Sequence, residues 1–188
     1  MSNGMLYIAI GDSTGWTNAT ENYPSKTHKY LQTKLGYTIK HLNKSIGGAT
    51  STEVLANKEW LGNFQADLIT FGVGLNDCST EVATGTENYK TNLRTMIDRF
   101  RVKNTNVKII MCNPSRTTDV NRVDEVAAYR TALAELVGEY SRGVYLCHFE
   151  DAWAQEDTDS YCSDGLHPQE TGQALLASEL ETIINLIV

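Results

Sequence analysis

A serine, a histidine and an aspartate in this chain have the residue types and sequence contexts that acyl transfer requires. Ser13 follows a short apolar run and a glycine, where a buried strand would end. Asp164 and His167 lie three residues apart in the sequence Asp-Gly-Leu-His-Pro. A serine hydroxyl becomes an effective nucleophile when an imidazole takes its proton and a carboxylate orients that imidazole. We therefore expect Ser13 to be a nucleophile, His167 its general base and Asp164 the partner of that base.

Attack on an ester carbonyl also requires two or three fixed donors for the oxyanion that develops. Asn76 stands in a Gly-x-Asn-Asp sequence, directly after another apolar run. Gly48 belongs to a glycine pair, and its missing Cβ lets the backbone approach a ligand closely. The candidate donors are the backbone N–H groups of Ser13 and Gly48 and the side-chain amide of Asn76.

The elements that must position these groups alternate along the chain. Apolar runs predict strands at 6–10, 67–73, 107–112 and 143–149, and an alternating segment predicts another at 37–42. Amphipathic spacing and helix-end signals predict helices at 25–35, 54–61, 87–102 and 123–140, and a last one from Pro168 to the C-terminus. Strands that alternate with helices indicate a parallel sheet with helices on both faces, a three-layer α/β/α sandwich.

The strand order decides which loops meet. In a flavodoxin-like order, 2-1-3-4-5, the first and third strands are neighbours, and the loops after them meet at the switch point. This order would bring Ser13 close to Asn76. The long polar loop at 150–165 is extended enough to carry His167 to the same edge of the sheet.

Composition narrows the classes of function. The 188 residues are long enough for one sizeable core, and we expect a single domain over 1–188. The net charge of −7, with scattered basic residues, argues against a nucleic-acid groove or an anionic membrane surface as partner. There is no run of about 20 apolar residues and no signal-peptide pattern, so we expect a cytoplasmic protein. The cysteines, which lack C-x-x-C spacing, are expected to be free thiols rather than zinc ligands: Cys78, Cys112, Cys147 and Cys162.

In order and spacing, these motifs resemble those of the SGNH (GDSL-type) hydrolases over essentially the whole chain. The residues that carry the resemblance are Gly11-Asp12-Ser13, Gly48, Gly74-Leu75-Asn76-Asp77 and Asp164-Gly165-Leu166-His167-Pro168. The resemblance implies the SGNH hydrolase fold and an esterase or acylhydrolase that needs no cofactor or metal. It also implies a Ser13, His167 and Asp164 triad, with an oxyanion hole made by Ser13, Gly48 and Asn76. The segment Thr14-Gly15-Trp16 departs from the apolar-Thr continuation that is commoner in that family.

The substrate that we expect is a short acyl ester, such as an O-acetyl group on a carbohydrate, because no long apolar segment suggests a lid over a lipid channel. Trp16, next to the serine, is the candidate substrate-binding residue. Two alternatives stay open: a lysophospholipase or thioesterase that acts on longer acyl chains, and a carbohydrate-binding module without turnover. The oligomeric state is also open.

Three local patterns compete with this interpretation. Residues 11–15 spell G-x-S-x-G, the nucleophile elbow of α/β-hydrolases, but that fold places several strands before its elbow and here one precedes it. His148, close to Glu150 and Asp151, is an alternative base. Asp77 is expected to brace its own turn rather than to take part in the chemistry.

Overall fold

A five-stranded parallel sheet organises the protein, in a computed structural model that describes residues 4–16, 21–57 and 63–188. The strands are β1 (Gly4–Gly11), β2 (Thr38–Asn43), β3 (Leu68–Gly72), β4 (Lys108–Cys112) and β5 (Val144–Cys147). Their order is β2-β1-β3-β4-β5, and every neighbouring pair is parallel. The predicted flavodoxin-like order is therefore confirmed.

Helices connect the strands and cover the sheet. They are α1 (Ser13–Trp16), α2 (Tyr23–Thr33), α3 (Ser51–Ala56), α4 (Thr86–Lys103), α5 (Val126–Gly138), α6 (Thr158–Tyr161) and α7 (Glu170–Ile187). Single 3₁₀ turns lie at Phe149–Asp151 and Gln155–Asp157. The predicted three-layer α/β/α architecture is confirmed.

Both faces of the sheet are buried, as the continuous apolar run of β1 predicts. Successive side chains of a strand point to opposite faces. Ile8 and Ile10 face a core that they share with α3, α4 and α5, whereas Tyr7 and Ala9 face a second core against α2 and α7. All four side chains are inaccessible to solvent. The strand that leads to Ser13 is thus held from both sides.

The helix predicted over 54–61 begins earlier than expected. It starts at Ser51, because the Thr50 hydroxyl accepts from the Glu53 N–H while the Glu53 carboxylate accepts from the Thr50 N–H. This reciprocal capping fixes the first turn directly after the glycine pair. The helix is described as far as Ala56, and residues 58–61 of the prediction lie outside the described residues.

Pro168 does not occupy the first position of the last helix, which corrects the prediction. Helix α7 begins at Glu170, with Gln169 as its N-cap. The Gln169 N–H donates to the carbonyl of Tyr161 at 2.7 Å, and this bond keeps Gln169 extended. The segment over 150–165, which the sequence predicts as a loop, contains α6 and the 3₁₀ turn at Gln155–Asp157. The other 3₁₀ turn overlaps its start.

Two further findings bear on the compositional expectations. In the parts of the chain that the structure describes, no helix is both long enough and apolar enough to span a bilayer. All four cysteines are buried and free. Cys112 and Cys147 lie opposite each other in the β4 and β5 pairing.

Candidate active site

Ser13 lies immediately beyond the carboxyl end of β1, in a tight turn. The turn is fixed by Asp12, whose N–H donates to the carbonyl of Gly72 in β3 at 3.1 Å. The Asp12 carboxylate accepts from the Thr14 N–H at 2.9 Å, and its carbonyl accepts from the Gly15 N–H at 3.2 Å. These bonds leave the Ser13 side chain half-buried at the edge of the sheet.

The structure brings the imidazole of His167 to this serine. His167 Nε2 lies 2.9 Å from Ser13 Oγ, and His167 Nδ1 lies 2.6 Å from Asp164 Oδ2. The other oxygen of Asp164 accepts from the backbone N–H groups of Leu166 and His167, at 3.0 and 2.7 Å. One carboxylate thus shapes the turn and orients the ring. An alcohol, an imidazole and a carboxylate form a continuous hydrogen-bonded line.

Asp164 is a strong acid in this setting. Its partial burial favours the neutral form, but the hydrogen bonds from the His167 backbone and ring, with that from Leu166, outweigh burial and lower its pKa to about 2. Asp164 is therefore a carboxylate at every pH near neutrality. The permanent negative charge of Asp164, next to His167 Nδ1, favours the tautomer that carries its proton on Nδ1. In that tautomer Nε2 is an acceptor that faces Ser13.

The loop that carries Asp164 and His167 is anchored to the segment after β4. The carbonyl of Gly165 accepts from Thr117 Oγ1 at 2.7 Å and from the Thr118 N–H at 2.9 Å. Gly165 has φ of +74°, and a Cβ there would collide with the Thr118 hydroxyl. Glycine is therefore required at this position for two independent reasons.

Two of the three residues expected to bind an oxyanion, Gly48 and Asn76, lie on adjoining loops. Gly48 is exposed and has φ of +77°, a conformation that favours glycine. Asn76 is buried, and its Nδ2 donates to the carbonyl of Ala49 at 3.1 Å, next to Gly48. Each side-chain amide nitrogen carries two hydrogens, so this bond leaves one for another acceptor. This hydrogen bond joins the Asn76 loop to the Gly48 loop next to the candidate oxyanion donors.

Asp77 braces its own loop, through its own backbone N–H and the Thr84 side chain, and its carboxylate also joins that loop to the start of α3. It accepts from the backbone N–H of Ser51 at 2.9 Å and from the Ser51 hydroxyl at 2.5 Å. Burial raises the pKa of Asp77, and the bonds from Ser51 oppose that shift. This contact fixes Asn76, the preceding residue, relative to the Gly48 loop.

Two other predicted residues have clear positions. His148 does not face Ser13; its Nδ1 lies 3.3 Å from Glu150 Oε1 at the end of β5, and its side chain is about half exposed. The ring of Trp16 is 58% exposed and lies over Gly47, where a Cβ would come within 3.0 Å of it. Trp16 therefore forms an exposed aromatic surface beside both the Ser13 turn and the Gly48 loop.

Sequence reasoning missed Arg122, which contacts the Asn76 loop. Its Nε donates to the carbonyl of Leu75 at 2.8 Å, and Nη2 lies 3.4 Å from Asn76 Oδ1. Asp119 pairs with the same guanidinium at 2.8 Å. The sequence contained only a weak signal for Arg122. The polar segment after β4, in which Arg122 lies, follows the same edge of the sheet as the loops that carry Ser13 and Asn76.

Asp12 makes stability depend on pH. Burial, partly offset by hydrogen bonds from Thr14, raises its pKa from 3.8 to about 6. The unfolded state therefore loses this proton first, so the contribution of Asp12 is present below pH 3.8 and is lost as pH rises through about 6. At 1.36 kcal/mol per pKa unit, the loss reaches about 3 kcal/mol.

Asp12→Asn tests this directly, because an amide oxygen can still accept from the Thr14 N–H. We expect the stability of the wild type relative to the variant to fall as pH rises from about 4 to 7, and then to level off. Urea unfolding at a series of pH values measures both proteins under identical conditions. A difference that stays constant over this range would contradict the raised pKa.

Among the residues described, no group of three or more His, Cys, Asp or Glu side chains is placed to hold a metal ion. A serine, a base that contacts it and an orienting carboxylate can perform nucleophilic acyl transfer.

Several solved structures have the same fold. One, described as a GDSL-like lipase from Parabacteroides merdae, has a TM-score of 0.83 at 19% identity, over 99% of this chain and 98% of its own. A mutant acetyl esterase with an acetate ion has a TM-score of 0.79 at 17% identity, over 97% and 98%. A carbohydrate esterase of family 3 from Talaromyces cellulolyticus has 0.80 at 17%, also over 97% and 98%. Identities this low establish the fold alone.

Sequence comparison identifies the family. No curated protein matches the chain. The family model for GDSL-like lipases and acylhydrolases matches residues 9–175, which include Ser13, Gly48, Asn76, Asp164 and His167. The chain belongs to the GDSL-like lipase/acylhydrolase family and is a carboxylic ester hydrolase.

Proposed function

We propose that the protein hydrolyses esters through an acyl-enzyme formed on Ser13, with His167 as general base and Asp164 as the group that orients it. The proposal rests on one observation, the hydrogen-bonded line from Asp164 through His167 to the Ser13 hydroxyl. His167 Nε2 takes the proton of Ser13 as Oγ attacks the ester carbonyl, and then gives it to the departing alcohol. A water molecule, activated by the same nitrogen, releases the acid and regenerates Ser13.

The oxyanion of both tetrahedral intermediates is bound by the N–H groups of Ser13 and Gly48 and by Asn76 Nδ2. The bond from Asn76 to Ala49 supports this role, because it directs the amide toward the Gly48 loop and leaves one hydrogen unused by that bond. Arg122 holds the opposite end of the same amide. Donors fixed before the reaction stabilise developing charge without reorganisation, and losing one typically costs on the order of 10² to 10³ in kcat.

The substrate class that we propose is a short acyl ester on a carbohydrate, such as an O-acetyl group. A surface groove of about 630 Å³ begins at Gly48. It is lined by the exposed Val82 and by side chains with hydroxyl, amide or carboxylate groups: Thr50, Thr52, Glu53, Thr84, Asn88 and Asn92. These polar groups can form hydrogen bonds with sugar hydroxyls. The exposed ring of Trp16, beside the Gly48 loop, offers a surface on which a sugar ring can stack. The fold is also that of an acetyl esterase and a carbohydrate esterase.

Acyl-chain preference tests the substrate class. We expect kcat/KM to be higher for p-nitrophenyl acetate than for p-nitrophenyl decanoate, and turnover of an acetylated oligosaccharide. A clear preference for decanoate or for an acyl thioester would favour the lysophospholipase or thioesterase alternative. If a fluorophosphonate probe fails to label the wild type, the non-catalytic carbohydrate-binding module is favoured instead.

Trp16→Ala separates sugar recognition from chemistry. We expect KM for the acetylated oligosaccharide to rise by roughly 3- to 10-fold, because an aromatic contact contributes roughly 0.5–1.5 kcal/mol. The kinetics on p-nitrophenyl acetate should stay at the wild-type level. Val102→Ala, which removes an exposed apolar side chain from α4, is the matched control and should leave the kinetics on both substrates unchanged. Equal effects of Trp16→Ala on both substrates would contradict a sugar-binding role.

A further inference from the structure

Gln173 is a fully buried polar side chain in α7, close to the candidate active site but outside the motifs. Its Nε2 donates to the carbonyl of Thr14 at 2.9 Å and contacts the carbonyl of Pro168 at 3.3 Å. Its Oε1 accepts from the backbone N–H of Tyr23 at 2.7 Å. One amide therefore contacts three separate backbone segments.

The backbone carbonyls that Gln173 contacts belong to the residues directly after Ser13 and His167. Thr14 is the residue after Ser13, and Pro168 is the residue after His167. The two hydrogens of one nitrogen therefore connect the turn that carries the nucleophile to the loop that carries the base. Tyr23, at the start of α2, holds the opposite end of the amide and limits its rotation.

Neither a carboxylate nor an apolar side chain can reproduce these contacts. A carboxylate has no hydrogens for the two carbonyls, and an apolar side chain has neither donor nor acceptor. Gln173 supplies both the donor for the Thr14 and Pro168 carbonyls and the acceptor for the Tyr23 N–H. The packing around it is also tight, because a Cβ at the preceding Gly172 would lie 3.0 Å from Pro168 Cβ and 3.2 Å from the Tyr161 carbonyl.

We infer that Gln173 is a positioning residue, which fixes the separation and angle between Ser13 Oγ and His167 Nε2 by joining the two backbones that carry them. The inference rests on the proposed function of Ser13 and His167. The two residues are 154 positions apart and approach each other at 2.9 Å. Gln173 supplies a direct hydrogen-bonded connection between their backbones, independent of the side-chain contact itself.

The test is Gln173→Leu, which keeps a similar volume and removes the bonds to Thr14, Pro168 and Tyr23. A misplacement of about 1 Å near reacting groups can lower a rate by on the order of 10²-fold. We expect kcat on p-nitrophenyl acetate to fall by on the order of 10- to 100-fold, with KM within about twofold of wild type. The second-order rate of fluorophosphonate inactivation should fall in parallel, because it reports activation of the nucleophile.

Tyr7→Phe is the control for a purely structural effect. It removes the hydrogen bond between Tyr7 and Thr70, which is also fully buried and lies in the core that contains α2 and α7. Both variants should lower the melting temperature, but kcat should fall only for Gln173→Leu. If Gln173→Leu keeps wild-type kcat, or if both variants lose kcat in proportion to stability, the inference is wrong.

Gln173→Met covers the case in which the leucine variant does not fold. It keeps an unbranched side chain of similar length and has no hydrogens to donate to the Thr14 and Pro168 carbonyls. We expect the same loss of kcat, and wild-type kcat in this variant would overturn the inference. Ser13→Ala, measured in parallel, tests the proposed function separately: if that variant still turns over ester, the proposed function fails whatever Gln173 does.

Discussion

Replacing Ser13 with alanine is expected to lower kcat for p-nitrophenyl acetate by on the order of 10⁶-fold, the loss typical of a serine hydrolase without its nucleophile. Ser13 Oγ is the atom that contacts His167 Nε2, so the substitution removes both the attacking atom and the proton that the base would accept. The variant should also lose all labelling by a fluorophosphonate probe. KM should change little, because the groove and the backbone donors remain.

A double variant makes this prediction specific. If Ser13 and His167 act as one unit, His167→Ala should cost about as much as Ser13→Ala, and Ser13→Ala/His167→Ala should cost little more than either. Ser178→Ala, at an exposed position of α7, is the control and should retain full activity and labelling. Multiplicative losses in the double variant, or residual labelling of Ser13→Ala, would show that another group attacks the ester.

Replacing Asp164 with asparagine should lower kcat by on the order of 10⁴-fold, as a change of histidine tautomer does in a Ser-His-Asp site. The amide oxygen of asparagine can replace Oδ1, which accepts from the Leu166 and His167 backbones. The amide nitrogen then faces His167 Nδ1 and makes that ring nitrogen an acceptor. The ring proton moves to Nε2, where it blocks acceptance of the Ser13 proton.

The pH dependence of Asp164→Asn shows whether its defect comes from the histidine tautomer or from the titration of residue 164. Hydrogen bonds from His167 and Leu166 overcome the effect of burial and lower the pKa of Asp164 to about 2, so the wild type keeps a carboxylate throughout the assay range. The defect of Asp164→Asn should therefore stay large at every pH from about 5 to 9. Recovery of most activity at either end of that range would contradict the assigned role. Asp159→Asn, an exposed carboxylate that accepts from Thr118, is the matched control and should be nearly fully active.

The sheet could be predicted well because its signal is local. Four of the strands are short apolar runs and β2 is an alternating segment, and both patterns can be recognised without knowledge of the partner strand. The alternation of strands and helices with right-handed crossovers predicts a parallel sheet, and the order 2-1-3-4-5 is the flavodoxin-like order for such a sheet. Once the order is known, the loops that bear Ser13 and Asn76 must adjoin.

Hydrogen bonds between segments that are separated along the chain could not be predicted. Pro168 has the sequence signal of a helix start, yet the Gln169 N–H donates to Tyr161 and the helix begins at Glu170. Asp77 has the signal of a turn residue, and its carboxylate also accepts from Ser51, 26 positions earlier. Neither partner can be identified from spacing along the chain, because the pairing exists only once the loops have met.

Taken alone, the sequence determined the fold class and the identity of the three side chains that form one hydrogen-bonded line. These depend on residue type and on periodicity, which are properties of each segment by itself. Tertiary structure alone decided how the loops are held together, through Arg122 on Asn76, Thr117 on Gly165 and Gln173 between the turn of Ser13 and the loop of His167. The physical reason is that a buried donor must find an acceptor wherever folding brings one near, and that choice is made in space rather than along the chain.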